Sequence, residues 1–136
     1  MLTLAEIEHR VQALATRIGA TANDLPTFGH SRDGGYPHIE VDEHGYHYVT
    51  VERGKELEHI TTPDIDELLW QIFQNAAAAL AIGFELKHRI SGQDFRRQMF
   101  AKRIELLGTL LPAWAKRERA YVDAVLLKNP YDDSKY

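Results

Sequence analysis

Cysteine is absent from this 136-residue chain, which excludes disulfide stapling, thiolate catalysis and cysteine-ligated zinc. Long apolar runs are lacking too. The longest stretch without a polar side chain is Ala76 to Phe84, and nine residues fall far short of the roughly 20 that span a bilayer. The opening segment, MLTLAEIEHR, has no basic n-region followed by an apolar run, so a cytoplasmic location is the expectation. Also missing are the helical HExxH and HxxxH spacings, the GxSxG elbow, and a glycine loop with the strand and helix of a phosphate-binding turn.

What is present is an uneven distribution of charge. The net charge of −4 divides into −8 over residues 1–70 and +4 over residues 71–136. Such a split fits an internal acidic-to-basic contact or an exposed acidic surface suited to a cationic partner.

Residues 3–19 place Leu4, Ile7, Val11, Leu14 and Ile18 on one stripe, so the spacing predicts an amphipathic helix ended by Gly19. From Ala20 to Tyr36 the chain is rich in Thr, Asn, Asp, Gly and Ser and reads as a loop. The period then switches to two. His38–Val41, a turn over Asp42-Glu43-His44-Gly45, and Tyr46–Glu52 predict a hairpin. A second turn at Gly54-Lys55 leads to a third short strand over Glu56–Ile60. The acids Glu40, Asp42, Glu43, Glu52, Glu56 and Glu58 are expected on the wet face of this meander, where charge also discourages edge pairing.

Thr62, Pro63, Asp64, Asp66 and Glu67 signal the start of a central helix. Apolar residues from Ile65 to Leu86 follow the 3.6 period. Run on to Arg89 it would be roughly 40 Å long, so a bend at Gly83 or an end near Ser91 is expected. Ser91 followed three residues later by Asp94 resembles a capping box for the next helix, Asp94–Leu111. Pro112 then opens or kinks a last helix carrying Trp114, Tyr121, Val122, Val125 and Leu126, which should stop near Asn129-Pro130 before a polar tail expected to fray unless Tyr131 docks.

The expected fold class is α+β: an N-terminal helix, a three-stranded antiparallel β-meander, then three C-terminal helices packed on one face of the sheet. One domain spans 1–136, with helix and loop over 1–35, meander over 36–61, helices over 62–128 and tail over 129–136. Of seven histidines only His44 and His47 are close in sequence, and no third ligand is indicated. The reading therefore assigns no metal, no cofactor and no catalytic residue.

Several segments taken together resemble the immunity protein 63 family. They are Tyr46–Glu56, Thr61-Thr62 with Asp66–Leu69, Glu85-Leu86-Lys87 with Arg89, Gly92–Arg97, Glu105–Leu107 and Pro130-Tyr131-Asp132. The resemblance covers about residues 40–133. It implies protection of bacteria against the toxin domains of polymorphic toxin systems, by binding the neighbouring toxin rather than by catalysis. Charge points the same way, because an acidic surface suits a toxin, such as a nuclease, with a basic cleft. The expected contact residues are Glu40, Asp42, Glu43, Glu52, Glu56 and Glu58, with Tyr46 and Tyr48 as aromatic anchors. The alternatives are a nucleic-acid-binding regulator using Arg96, Arg97, Lys102, Arg103, Lys116, Arg117 and Arg119, and an adaptor domain with another protein partner.

Overall fold

A computed structural model describes residues 1–136 as four α-helices and one four-stranded sheet, an α+β fold. Contacts group the chain into two compact units, Met1–Phe73 and Gln74–Tyr136, and the boundary falls within the central helix.

In the first unit, α1 (Leu4–Ile18) starts on a capping box between Thr3 and Glu6 and ends on Gly19 in the left-handed conformation. The sheet has the order β1-β2-β3-β4, with β1 (Thr27–Phe28), β2 (Pro37–Asp42), β3 (Gly45–Glu52) and β4 (Lys55–Thr62). The meander is thus a four-stranded sheet, where three strands were expected. The extra strand lies in the segment read as loop. It is two residues long, too short to show a period, and pairs in parallel with β2 through Thr27↔His38 and Phe28↔Ile39. β3 and β4 join through a two-residue turn in which Arg53 and Gly54 both have positive φ, the conformation a tight hairpin requires. Ile7, Val11, Ile39, Val49, Leu68, Ile72 and Phe73 are almost fully buried, each stabilising by about 2 kcal/mol relative to exposure.

The central helix α2 covers Ile65–Lys87 without a break at Gly83. Its cap is Asp64 rather than Thr62: Asp64 Oδ1 accepts from Asp66 N at 2.9 Å, and Asp64 O accepts from Leu68 N at 3.1 Å. Thr62 is still paired in β4 with Tyr46, which displaces the helix start by two residues. Late in α2 the apolar row divides. Ala76, Ala77 and Ala81 are buried, whereas Ile82 and Leu86 are exposed, contrary to the periodic expectation for Leu86.

In the second unit, α3 (Arg96–Leu110) and α4 (Pro112–Lys128) form a helical hairpin. Asp94 caps α3 through Oδ1 and Arg96 N at 3.0 Å, displacing Ser91 from the role its spacing suggested. Pro112 opens α4 at a position where its missing N–H leaves no bond unmade, and the helix stops at Asn129. Between the helices Arg103 and Glu118 form a buried ion pair at 2.5 Å.

Candidate functional site

The β2–β4 meander carries all six expected contact acids, and its register decides which way each points. Residues directly opposite on neighbouring strands share a face. Glu40, His47 and Thr61 form one such row, and His38, Val49 and His59 form the next. Glu56 is opposite Val51, which adds it to the same face, and Asp42 joins through its contact with His47. Glu58 is opposite Thr50 and Glu52 is opposite Lys55, which puts both on the other face. The acids therefore do not share one wet face as expected. Alternation along β2 and β3 already separates Glu52 from Glu40 and Asp42, and a bulge between Thr50 and Val51, opposite which Leu57 is the extra residue in β4, separates Glu56 from Glu58. Without it, Glu56 and Glu58 would point the same way. Glu43 occupies the β2–β3 turn and is the most exposed of the acids in ion pairs, at 86%.

Tyr46 and Tyr48 are not aromatic anchors on the surface. Each is only 3% exposed, and the Tyr46 hydroxyl accepts a hydrogen bond from the Leu2 backbone N–H at 2.8 Å. On the central strand β3 every side chain from Tyr46 to Val49 is buried, so two-residue alternation alone did not separate a wet side from a dry one.

Face Asp42–Glu56 contains a chain of polar contacts that sequence reasoning missed. Asp42 Oδ1 is 2.7 Å from His47 Nε2, and His47 Nδ1 is 2.9 Å from His59 Nε2. His59 Nδ1 is in turn 3.2 Å from both carboxylate oxygens of Glu56. Thr61 Oγ1 adds a contact of 3.0 Å to His47 Nδ1. The hydrogen bond with His47, helped by the His44 backbone N–H, holds the Asp42 carboxyl below its usual pKa. His47 and His59 stand twelve positions apart in sequence and meet only because β3 and β4 pair in this register. The ring nitrogens turn to each other and to carboxylates, and no three His, Asp or Glu side chains converge as metal ligands.

A second polar cluster, in the helical unit, docks the tail. Asp94, 1% exposed, accepts from Arg96 Nε and an Arg96 terminal nitrogen (2.9 Å) and from Asp132 N (3.1 Å). Arg96 also donates to the Asn129 and Pro130 carbonyls at 2.9 Å each. Arg97 donates to both Asp133 carboxylate oxygens and lies over the Tyr131 ring. The tail is thus tied down, not frayed, and closes in a short turn over Asp133–Lys135. Arg96 and Arg97 are thereby engaged within the helical unit. Glu85 and Arg89 form a two-point ion pair at 2.8 and 2.9 Å, with Glu85 buried rather than exposed.

The cluster makes an acid-dependent prediction. Arg96 beside Asp94 lowers the carboxyl from 3.8 to about 2, outweighing the opposite effect of burial. A group whose folded pKa is depressed adds stability above its unfolded value and loses it as pH falls through the folded one. Tail docking, followed by tyrosine near-ultraviolet dichroism, should hold above about pH 4 and weaken towards about pH 2. Asp94→Asn should weaken docking already at neutral pH and flatten that acid step.

The molecule so described is a mixed α+β chain with a carboxylate–histidine chain on its sheet and, in its helical unit, a docked tail. A family model for immunity protein 63 matches residues 42–124, and the chain belongs to that family. The match takes in β3, β4, α2, α3 and most of α4. No curated protein and no solved structure matches the chain. Membership suggests a toxin-neutralising role with a toxin protein as partner.

Proposed function

We propose that the chain neutralises its cognate toxin by direct, non-catalytic binding, and that the carboxylates of the β2–β4 meander, carried on both faces of the sheet, set up the negative field that draws in a basic surface on that toxin. One observation carries this reading. None of Glu40, Asp42, Glu43, Glu52, Glu56 and Glu58 is in an ion pair with a lysine or arginine; four of them contact only histidines. Residues 37–62 hold these six acids against Arg53 and Lys55 alone. An acidic surface with no lysine or arginine paired to its carboxylates retains net negative charge, which steers a cationic partner and speeds association. Tyr46 and Tyr48 drop out of the contact set because they are buried.

The nucleic-acid alternative loses part of its basis to internal pairing. Arg96 and Arg97 hold Asp94 and Asp133, and Arg103 is buried against Glu118. Of the seven basic residues in that alternative, these three are committed within the helical unit.

Charge reversal tests the proposal where it leaves the hydrogen-bonded face intact. Glu43→Lys combined with Glu58→Lys should slow association with the cognate toxin by about tenfold at low salt and less at high salt. Thermal stability should be nearly unaltered, since both side chains are exposed. An unchanged association rate at low salt, with binding intact, would move the contact surface elsewhere on the chain.

A further inference from the structure

The Asp42–His47–His59–Glu56 chain does not balance with two ordinary neutral imidazoles. Each far nitrogen, His47 Nε2 and His59 Nδ1, meets a carboxylate. An ionised carboxylate only accepts, so both nitrogens must carry hydrogen. A neutral ring has a single N–H. Those two demands use up both ring hydrogens and leave a lone pair on His47 Nδ1 facing a lone pair on His59 Nε2 across 2.9 Å. Two lone pairs at that distance repel, whereas 2.9 Å is the ordinary length of a hydrogen bond. A third hydrogen has to lie between the rings. The Thr61 hydroxyl, 3.0 Å from His47 Nδ1, can donate to that nitrogen but cannot supply the ring-to-ring contact.

We infer that His47 and His59 share one extra proton, so that their four ring nitrogens carry three hydrogens and the four-residue chain bears a charge of −1 instead of −2. The proton lies on either inner nitrogen, with the opposite inner nitrogen accepting. The other titratable groups on this face are Glu40, opposite His47 in the register, and His38, whose Nε2 is 3.6 Å from Glu40 Oε1. His44 reaches the chain through its backbone N–H on Asp42, and its ring faces Glu43 at 3.5 Å. None of these groups has a hydrogen bond to the two inner nitrogens.

The arrangement is a joint with two ways to fail. Loss of the shared proton sets lone pair against lone pair, and gain of a second sets N–H against N–H. Either change removes the ring-to-ring bond that connects Asp42, at the β2–β3 turn, with Glu56 in β4. The inference needs no toxin and stands or falls independently of the proposed docking surface.

Nitrogen NMR of the intact chain labelled in its histidine rings tests it at neutral pH. The expected spectrum has three ring N–H signals from His47 and His59 together, with a nitrogen-to-nitrogen coupling across the bond between the rings. Two ring N–H signals and no coupling would overturn the inference. A spectrum that changes on adding a chelator would overturn it as well, because a metal ion would then occupy the gap. In His59→Asn, His47 should revert to a neutral ring protonated on Nε2 alone. A His47 that stays doubly protonated in that variant rules out sharing. Should the variant fail to fold, the spectrum of the unaltered chain decides alone.

Discussion

Gly45→Ala is expected to destabilise the sheet by about 3 kcal/mol, combining a glycine-only backbone conformation with a direct collision. Gly45 has φ +132°, a region that residues with a Cβ essentially never occupy. A Cβ built there would lie 2.7 Å from the Thr62 carbonyl oxygen and 3.1 Å from its carbon. These atoms are backbone, so they cannot rotate away as a side-chain tip would. Thr62 is the last residue of β4 and pairs with Tyr46, while Asp64, two residues on, caps α2. Displacing the Thr62 carbonyl therefore disturbs the β3–β4 ladder and the helix entry together. For a chain of this size the cost corresponds to a fall in melting temperature of roughly 10 °C. Gly54→Ala is the control. Gly54 also has positive φ, but nothing lies within 4 Å of its added Cβ, so only the conformational penalty of about 1 kcal/mol remains. Equal melting temperatures for the two variants would show that the approach of Gly45 to Thr62 is not a constraint on the fold.

The close approach at Gly45 is invisible in the chain's pattern, and this marks the limit of what sequence reveals here. Elements with a long, regular period were legible. The stripe from Leu4 to Ile18, the Asp42–Gly45 hairpin and the end of α4 at Asn129 appear where spacing and turn chemistry put them. Short or competing signals were not. Thr27-Phe28 makes a strand only because β2 offers it an edge. Thr62 had the chemistry of a helix cap but was retained by the sheet, and Ser91 lost α3 to the better-placed Asp94.

The candidate surface was legible in composition and not in geometry. The acid count from Glu40 to Glu58 needs no coordinates. A single bulged residue, Leu57, sends Glu56 and Glu58 to opposite faces, and no two-residue period predicts it. Tyr46 and Tyr48 illustrate a related difficulty, since a central strand is covered on both sides and its alternation loses meaning. The His47–His59 pair did leave a trace. Two histidines flanking a hairpin turn, each with an acid three or five residues earlier, could have been tested for cross-strand contact once the β3–β4 turn was placed.

Glu118→Leu should be the most damaging single change in the helical unit, at about 3–5 kcal/mol, because it leaves Arg103 charged and buried without a counter-ion. Glu118 is 1% exposed and Arg103 8%. The guanidinium stands 2.5 Å from Glu118 Oε1, yet neither carboxylate oxygen has a well-directed hydrogen bond, and Arg103 Nε has no partner. The contact is therefore charge pairing more than directed bonding. The Phe100 and Tyr121 rings, each 5.5 Å from the guanidinium carbon, give the cation partial compensation. A pair so incompletely satisfied adds little net stability, although breaking it is costly. Arg103→Met combined with Glu118→Leu should accordingly recover most or all of the loss. Melting temperatures of the single and double variants close the cycle, and a Glu118→Leu cost below about 1 kcal/mol would contradict the buried pair. The same cycle separates two ways of losing immunity. Glu118→Leu should abolish protection of toxin-exposed cells by unfolding the helical hairpin, and the double variant should restore it. Glu43→Lys with Glu58→Lys should weaken protection in a protein that melts normally, so that only the second pattern locates the surface that meets the toxin.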